Sequence, residues 1–175
     1  TYSISGNTGI DRYIIQKKKN VSYDIGIALN DGLTTYFQIT RKEGKKEAEK
    51  WLRIHLDANE KLISFIKICN DNGLKILIKR HPGELPNFIH PVVEASRNLI
   101  NVKIAEKDSN VFNAIQVSKN WITQNSTTAV EARVLGKNVF RVGEYYPCFD
   151  GYNDFPEIDE ILKKLEKNIK EFNKN

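Results

Sequence analysis

An α/β fold, with a parallel sheet covered by helices on both faces, is predicted by two features of the sequence. Short apolar runs alternate with stretches of helical periodicity along most of the chain, the order expected when strands lie side by side and each crossover is a helix. Two of those runs lead directly into polar turns, Lys79-Arg80-His81-Pro82-Gly83-Glu84 and Gln124-Asn125-Ser126-Thr127-Thr128. Ligands of an open parallel sheet bind beyond the carboxyl ends of its strands, so both turns are expected on one edge, which becomes the predicted site.

Residues 1–22 read as a leading, hinge-like segment ending in the exposed charge run Lys17-Lys18-Lys19. An apolar run over 23–29, closed by the turn formers Asn30, Asp31 and Gly32, suits a strand buried on both faces whose end also meets the ligand edge. From Gly44 onward Trp51, Ile54, Leu62, Phe65, Ile66 and Cys69 recur at helical spacing, while Asp57 and Glu60 form a capping box that predicts a second helix, ended by Gly73. A strand over 74–78, a proline-containing loop, a helix over 90–97 and an apolar stretch over 99–104 follow. Next come a helix over 110–117 and a strand over 120–123. Ser126 and Thr127 suit the N-cap of a short helix that Gly136 stops, and a strand over 138–142 completes the alternation. After the turn formers Asp150, Gly151, Asn153, Asp154 and Pro156, the stripe Ile158, Ile161, Leu162, Leu165, Ile169 and Phe172 predicts a last helix packing back on the sheet. The expected organisation is one domain over 23–150, preceded by the segment 1–22 and closed by 151–175.

A chain of 175 residues suits a single domain with a full core. Its net charge of +5 is spread over helix faces and is not interleaved with aromatic residues, which argues against a nucleic-acid binder. No apolar run approaches the roughly 20 residues that span a bilayer, and the start lacks a basic region followed by an apolar one, so a cytoplasmic protein is expected. Cys69 and Cys148 stand apart from each other and from histidine, supporting neither a disulfide nor a metal site. His55 and His90 show no ligand spacing and read as structural or surface residues. The absence of methionine, at the first position too, points to a chain that continues a longer polypeptide.

The two turns carry the chemistry. Ser126, Thr127 and Thr128 offer hydroxyls and helix-start amides to an anion, and His81 with Arg80 and Lys79 adds positive field or a proton. Glu131, about one helical turn beyond Ser126, is expected to accept hydrogen bonds from a ribose diol. Each residue also has a plainer role: a turn histidine beside proline, an N-cap, a solvated helix carboxylate. Asn30, Asp31 and Gly32 are expected at the site edge or as a simple turn.

The order Gly6-Asn7-Thr8…Asp11, Asn30-Asp31-Gly32, Lys79 to Glu84 and Asn125-Ser126-Thr127-Thr128…Glu131 resembles the carboxy-terminal half of bacterial surface-carbohydrate and capsule biosynthesis proteins. These are similar to two-domain glycosyltransferases of the GT-B fold, and the likeness covers most of the chain up to Gly143. The resemblance implies a Rossmann-like half-enzyme that binds a nucleotide-sugar donor, CMP-, CDP- or UDP-linked. It further implies an absent amino-terminal domain, a glycan or lipid-linked acceptor, and work in the cytoplasm or at the inner membrane face. His81 would act as the catalytic contact to the donor phosphate, with Arg80, Ser126, Thr127 and Thr128 holding it and Glu131 on the ribose. No cofactor and no metal are implied. The His-Pro pair and the serine-threonine motif also resemble bacterial sialyltransferases, capsule Kdo transferases and teichoic acid polyol-phosphate transferases, which use cytidine donors. The opening Gly-Asn-Thr is similar to the hinge of UDP-N-acetylglucosamine 2-epimerases, so half of such an enzyme is one alternative; a noncatalytic nucleotide-binding or partner-docking module is another.

Overall fold

A computed structural model of the chain describes residues 20–85, 87–143 and 151–172, with side chains as far as 167. Gly6, Asn7, Thr8, Asp11, the lysine run 17–19, Cys148 and Asp150 lie outside these residues, as do the side chains of Ile169 and Phe172.

Five strands form one sheet: β1 (Tyr23–Ala28), β2 (Ile76–Lys79), β3 (Val102–Ala105), β4 (Ser118–Thr123) and β5 (Asn138–Arg141). Every pairing is parallel and the order is β3-β2-β1-β4-β5, the Rossmann-like arrangement that the alternation predicts. The central strand carries Ile25 and Ile27 on one face and Gly26 and Ala28 on the other, all buried. Gly26 is required by packing rather than by backbone freedom, since a Cβ there would meet Trp121 at 2.5 Å and Ser118 Oγ at 2.3 Å.

Among the described residues, six helices connect and cover the strands: α1 (Gly32–Glu43), α2 (Lys45–Asp71), α3 (Pro91–Ser96), α4 (Val111–Gln116), α5 (Thr128–Val134) and α6 (Asp159–Phe172). Helix α2 packs with α1 and α3, and α4 packs with α5. Right-handed crossovers running outward from β1 in opposite directions put these two groups on opposite faces of the sheet.

Two local expectations need correction. The capping box at Asp57 and Glu60 starts no helix, because α2 runs unbroken for 27 residues through both. Its buried stripe, Trp51, His55, Ala58, Leu62, Phe65, Ile66 and Cys69, continues across the supposed break, and burying that stripe outweighs a local capping preference. Helix α1 is an addition. Asp31 caps it, its Oδ1 accepting from the Thr34 N–H at 3.3 Å, but its threonine-rich sequence hides the periodicity, and among its residues only Gly32 is fully buried.

The segment after Gly151 completes the core. Tyr152, Phe155, Ile158 and Ile161 all join the central apolar cluster. A backbone ladder fastens this segment to the β5 edge, with the Arg141 N–H donating to the Pro156 carbonyl at 2.9 Å and the Ile158 N–H to the Arg141 carbonyl at 3.1 Å. Lys61 of α2 reaches Glu157 at 3.0 Å and Asp159 at 2.9 Å.

Candidate functional site

Strand order reverses between β1 and β4, whose outgoing connections travel to opposite sides of the sheet. Such a point leaves a crevice at the carboxyl edge. A cleft of about 390 Å³ lies there, walled by all the connections that leave β1 to β4: Leu29; Lys79, Arg80, His81 and Pro82; Lys107, Asp108 and Ser109; and Ser126, Thr127 and Thr128. Arg80, His81, Ser126, Thr127 and Thr128 thus meet in one hollow although 39 residues, 85–123, separate the two turns in sequence.

His81 is held by its own turn. The Gly83 N–H donates to its Nδ1 at 3.0 Å, which leaves the proton of the neutral ring on Nε2. Burial lowers its pKa, and nearby Lys79 and Lys107 push the same way, opposed by the Asp31 and Glu84 carboxylates. The resting imidazole is therefore a neutral N–H donor near pH 7, and a bound anion would shift it towards the charged form. A Cβ on Gly83 would lie 3.1 Å from His81 Nδ1, so a side chain there would push the ring aside by a few tenths of an ångström.

A brace of cations stiffens this wall. Lys79 is 4 % exposed as a residue, and its ammonium donates to the carbonyls of Arg80 at 2.7 Å and Lys107 at 2.6 Å, joining the connections after β2 and β3. Burial holds its pKa below the usual lysine value. Lys107 in turn donates to the Glu84 carbonyl, and Arg80 pairs with the buried Glu84 carboxylate at 2.6 Å. Arg80 is therefore partly committed to orienting the loop, with its remaining donors available to the cleft.

On the opposite wall, Asn125 adopts the left-handed region at φ 47°, which asparagine tolerates better than most residues. Ser126 Oγ accepts from the Thr128 N–H at 3.3 Å, whereas Thr127 makes no capping bond to α5. Thr128 Oγ1 accepts from Trp121 Nε1 at 3.2 Å, keeping its own hydroxyl proton to donate. Since α5 has only seven residues, hydroxyls and turn amides supply the polar lining more than a long helix dipole does.

Other expected residues lie apart from this lining. Glu131 is half-buried on α5 and does not line the cleft, and its Oε2 is closed off from solvent. The carboxylate that lines the cleft is Asp108, with Ser109 beside it. Asn30, Asp31 and Gly32 sit behind the cleft. The Asn30 N–H donates to Gln124 Oε1 at 3.2 Å, Gly32 is packed against the His55 ring, and the buried Asp31 Oδ2 has no hydrogen-bond partner. His55 and His90 are both buried, and burial pushes each pKa down to about 4. Together with His81 they surround Asp31, so all three histidines of the chain feel one carboxylate.

A larger groove of about 770 Å³ opens near the start of β4 and β5, against α6. Its exposed Lys119, Arg133 and Lys164 are solvated surface residues, and the convergent loops of a parallel sheet are at the other edge. Among the described residues, no group of three or more His, Cys, Asp or Glu is arranged to hold a metal ion, and no helix is long and apolar enough to cross a membrane. No protein-family model matches the sequence, and no curated protein is detectably similar to it.

Proposed function

We propose that this chain is the donor-binding domain of a glycosyltransferase that takes its sugar from a nucleotide and builds a bacterial capsule or surface polysaccharide. The observation carrying this reading is the convergence of Arg80 and His81 with Ser126, Thr127 and Thr128 on one cleft at the strand-order reversal. Hydroxyls, an imidazole N–H and a guanidinium facing each other across such a cleft suit a phosphate, whose oxygens need several fixed donors. As the glycosidic bond breaks, negative charge grows on the leaving phosphate, and donors already in position stabilise it without reorganising. His81 strengthens this contact when Nδ1 gives up its bond from the Gly83 N–H and takes a proton from solvent, the ring becoming imidazolium beside the anion. Asp108 is the carboxylate available to a ribose diol, a role its position at the cleft suits better than that of Glu131. The acceptor and a second domain belong to the proposal only through the resemblance of the motifs.

The test is calorimetric titration of the chain with CMP, CDP, UMP and UDP, alongside His81→Ala and Ser126→Ala. Each substitution is expected to weaken binding roughly tenfold, the effect of losing one charge-assisted hydrogen bond. Wild-type affinity for a nucleoside diphosphate should rise from about pH 8 to about pH 6, since binding raises a depressed histidine pKa and takes up a proton. His81→Ala should abolish that slope. Cytidine preference would favour a Kdo-, sialic acid- or polyol-phosphate-type donor, and uridine preference a UDP-sugar. Failure of all four nucleotides to bind at millimolar concentration would reject donor binding by this chain and favour a noncatalytic docking module.

A further inference from the structure

The Ser126–Thr128 wall is anchored by a residue far outside both motifs. Tyr152 lies on the short 3-10 turn Tyr152–Asp154, fully buried, with its hydroxyl beneath the end of β4. Its Oη accepts from the Asn125 N–H at 2.6 Å and donates to the Thr123 carbonyl at 2.8 Å. A hydroxyl can do both at once, and here it bridges the backbone groups on either side of Gln124, just before the left-handed Asn125, where the strand ladder ends. From the other side, fully buried Gln124 is fixed as well: its Oε1 accepts from the Asn30 N–H and its Nε2 donates to Asn59 Oδ1 at 2.6 Å. The two residues immediately before Ser126 are thus pinned from opposite sides.

The segment that carries Tyr152 is itself immobilised. Arg141 Nε donates to the Phe155 carbonyl at 2.9 Å, and Arg141 pairs with Glu157. With the backbone ladder at Pro156 and Ile158, these contacts tie the segment to the β5 edge. Core packing alone would need only the ring of Tyr152, which meets Phe155 edge-on at 6.3 Å. A phenylalanine would fill that volume equally well. The hydroxyl adds order to one place, the turn that presents Ser126, Thr127 and Thr128.

We propose that Tyr152 is a positioning residue, its hydroxyl holding the Ser126–Thr128 wall of the cleft in anion-binding geometry from a segment that does not itself line the cleft. This rests on nucleotide binding at that cleft. Deleting the hydroxyl removes the acceptor that the part-buried Asn125 N–H uses and the donor to the Thr123 carbonyl, so the turn relaxes and the three hydroxyl residues lose their alignment.

Two variants test this, Tyr152→Phe, which removes only the hydroxyl, and Phe155→Leu, which loosens the same core segment and keeps the hydroxyl. Each is compared with wild type by amide exchange over residues 123–130 and by calorimetric titration with CMP and UDP, at a temperature where all three are folded. Tyr152→Phe is expected to speed local exchange and weaken nucleotide binding, each by about tenfold, while Phe155→Leu lowers thermal stability and leaves both unchanged. Wild-type exchange and affinity in Tyr152→Phe would overturn the assignment, as would equal losses in Phe155→Leu. If the wild-type chain binds neither nucleotide, donor binding is refuted, and local exchange alone decides whether Tyr152 orders the turn.

Discussion

Three histidines around one buried carboxylate make the protonation of this protein a matter of structure as much as of binding. His55 stacks on Trp51 at 5.0 Å, its Nε2 lies 3.2 Å from Asn59 Nδ2, and a Cβ on Gly32 would press within 2.4 Å of it. His90 Nδ1 accepts from the Val92 N–H at 3.2 Å, capping α3. Both rings fold neutral, with pKa values near 4 against an ordinary value of 6.5. Because the unfolded chain binds these protons more readily, the stability they confer is complete above about pH 6.5 and declines as pH falls towards 4. Between about pH 7 and pH 5, above most carboxylate titration, each should cost the fold about 2 kcal/mol. Urea denaturation across that window checks it: His55→Gln and His90→Gln should each flatten the dependence, and curves parallel to wild type would disprove the assignment. In the sequence, His81 was legible as a residue of the cleft because it follows a strand at the carboxyl edge of the sheet. His55 and His90 showed no ligand spacing, and their grouping around Asp31 exists only because α2, α3 and the end of β1 converge.

At the scale of elements, helix boundaries are decided by competition between local capping and burial. Asp57 and Glu60 have the spacing of a capping box, yet both are exposed midway along α2, while Asp31, read as a turn residue, caps α1. Asp57→Ala should therefore change thermal stability by less than about 0.5 kcal/mol, and Asp31→Ala should cost about 1 kcal/mol through the lost cap. A large loss from Asp57→Ala alone would restore a helix start at that position. The strands were more legible than the helices: buried parallel strands are continuous apolar runs, as in Ile76, Leu77 and Ile78, and no other element of that length needs such a run. The connection after β3 was less so. Val102–Ala105 is only partly buried and alternates weakly, which left Asp108 and Ser109 without a recognised strand before them.

The whole molecule depends on its last described segment. Tyr152, Phe155, Ile158 and Ile161 each bury a large side chain, worth roughly 1.5–3 kcal/mol apiece, against a total stability of roughly 5–15 kcal/mol for a domain of this kind. Truncation after residue 150 is accordingly expected to abolish cooperative thermal unfolding monitored by circular dichroism. A sharp transition within a few degrees of the full chain would show that the segment is dispensable. Composition and periodicity, which depend only on neighbours in sequence, were enough to specify an α/β chain with a parallel sheet, the two polar turns and the edge on which they open. Tertiary structure decided what lies between them. The strand order puts the crevice between β1 and β4, the β3 connection brings Asp108 into it, the course of α5 takes Glu131 away from its lining, and Tyr152 reaches the Asn125 turn from 27 residues away. Those contacts join residues distant in sequence, and their geometry follows from how helices and strands pack, which no local pattern encodes.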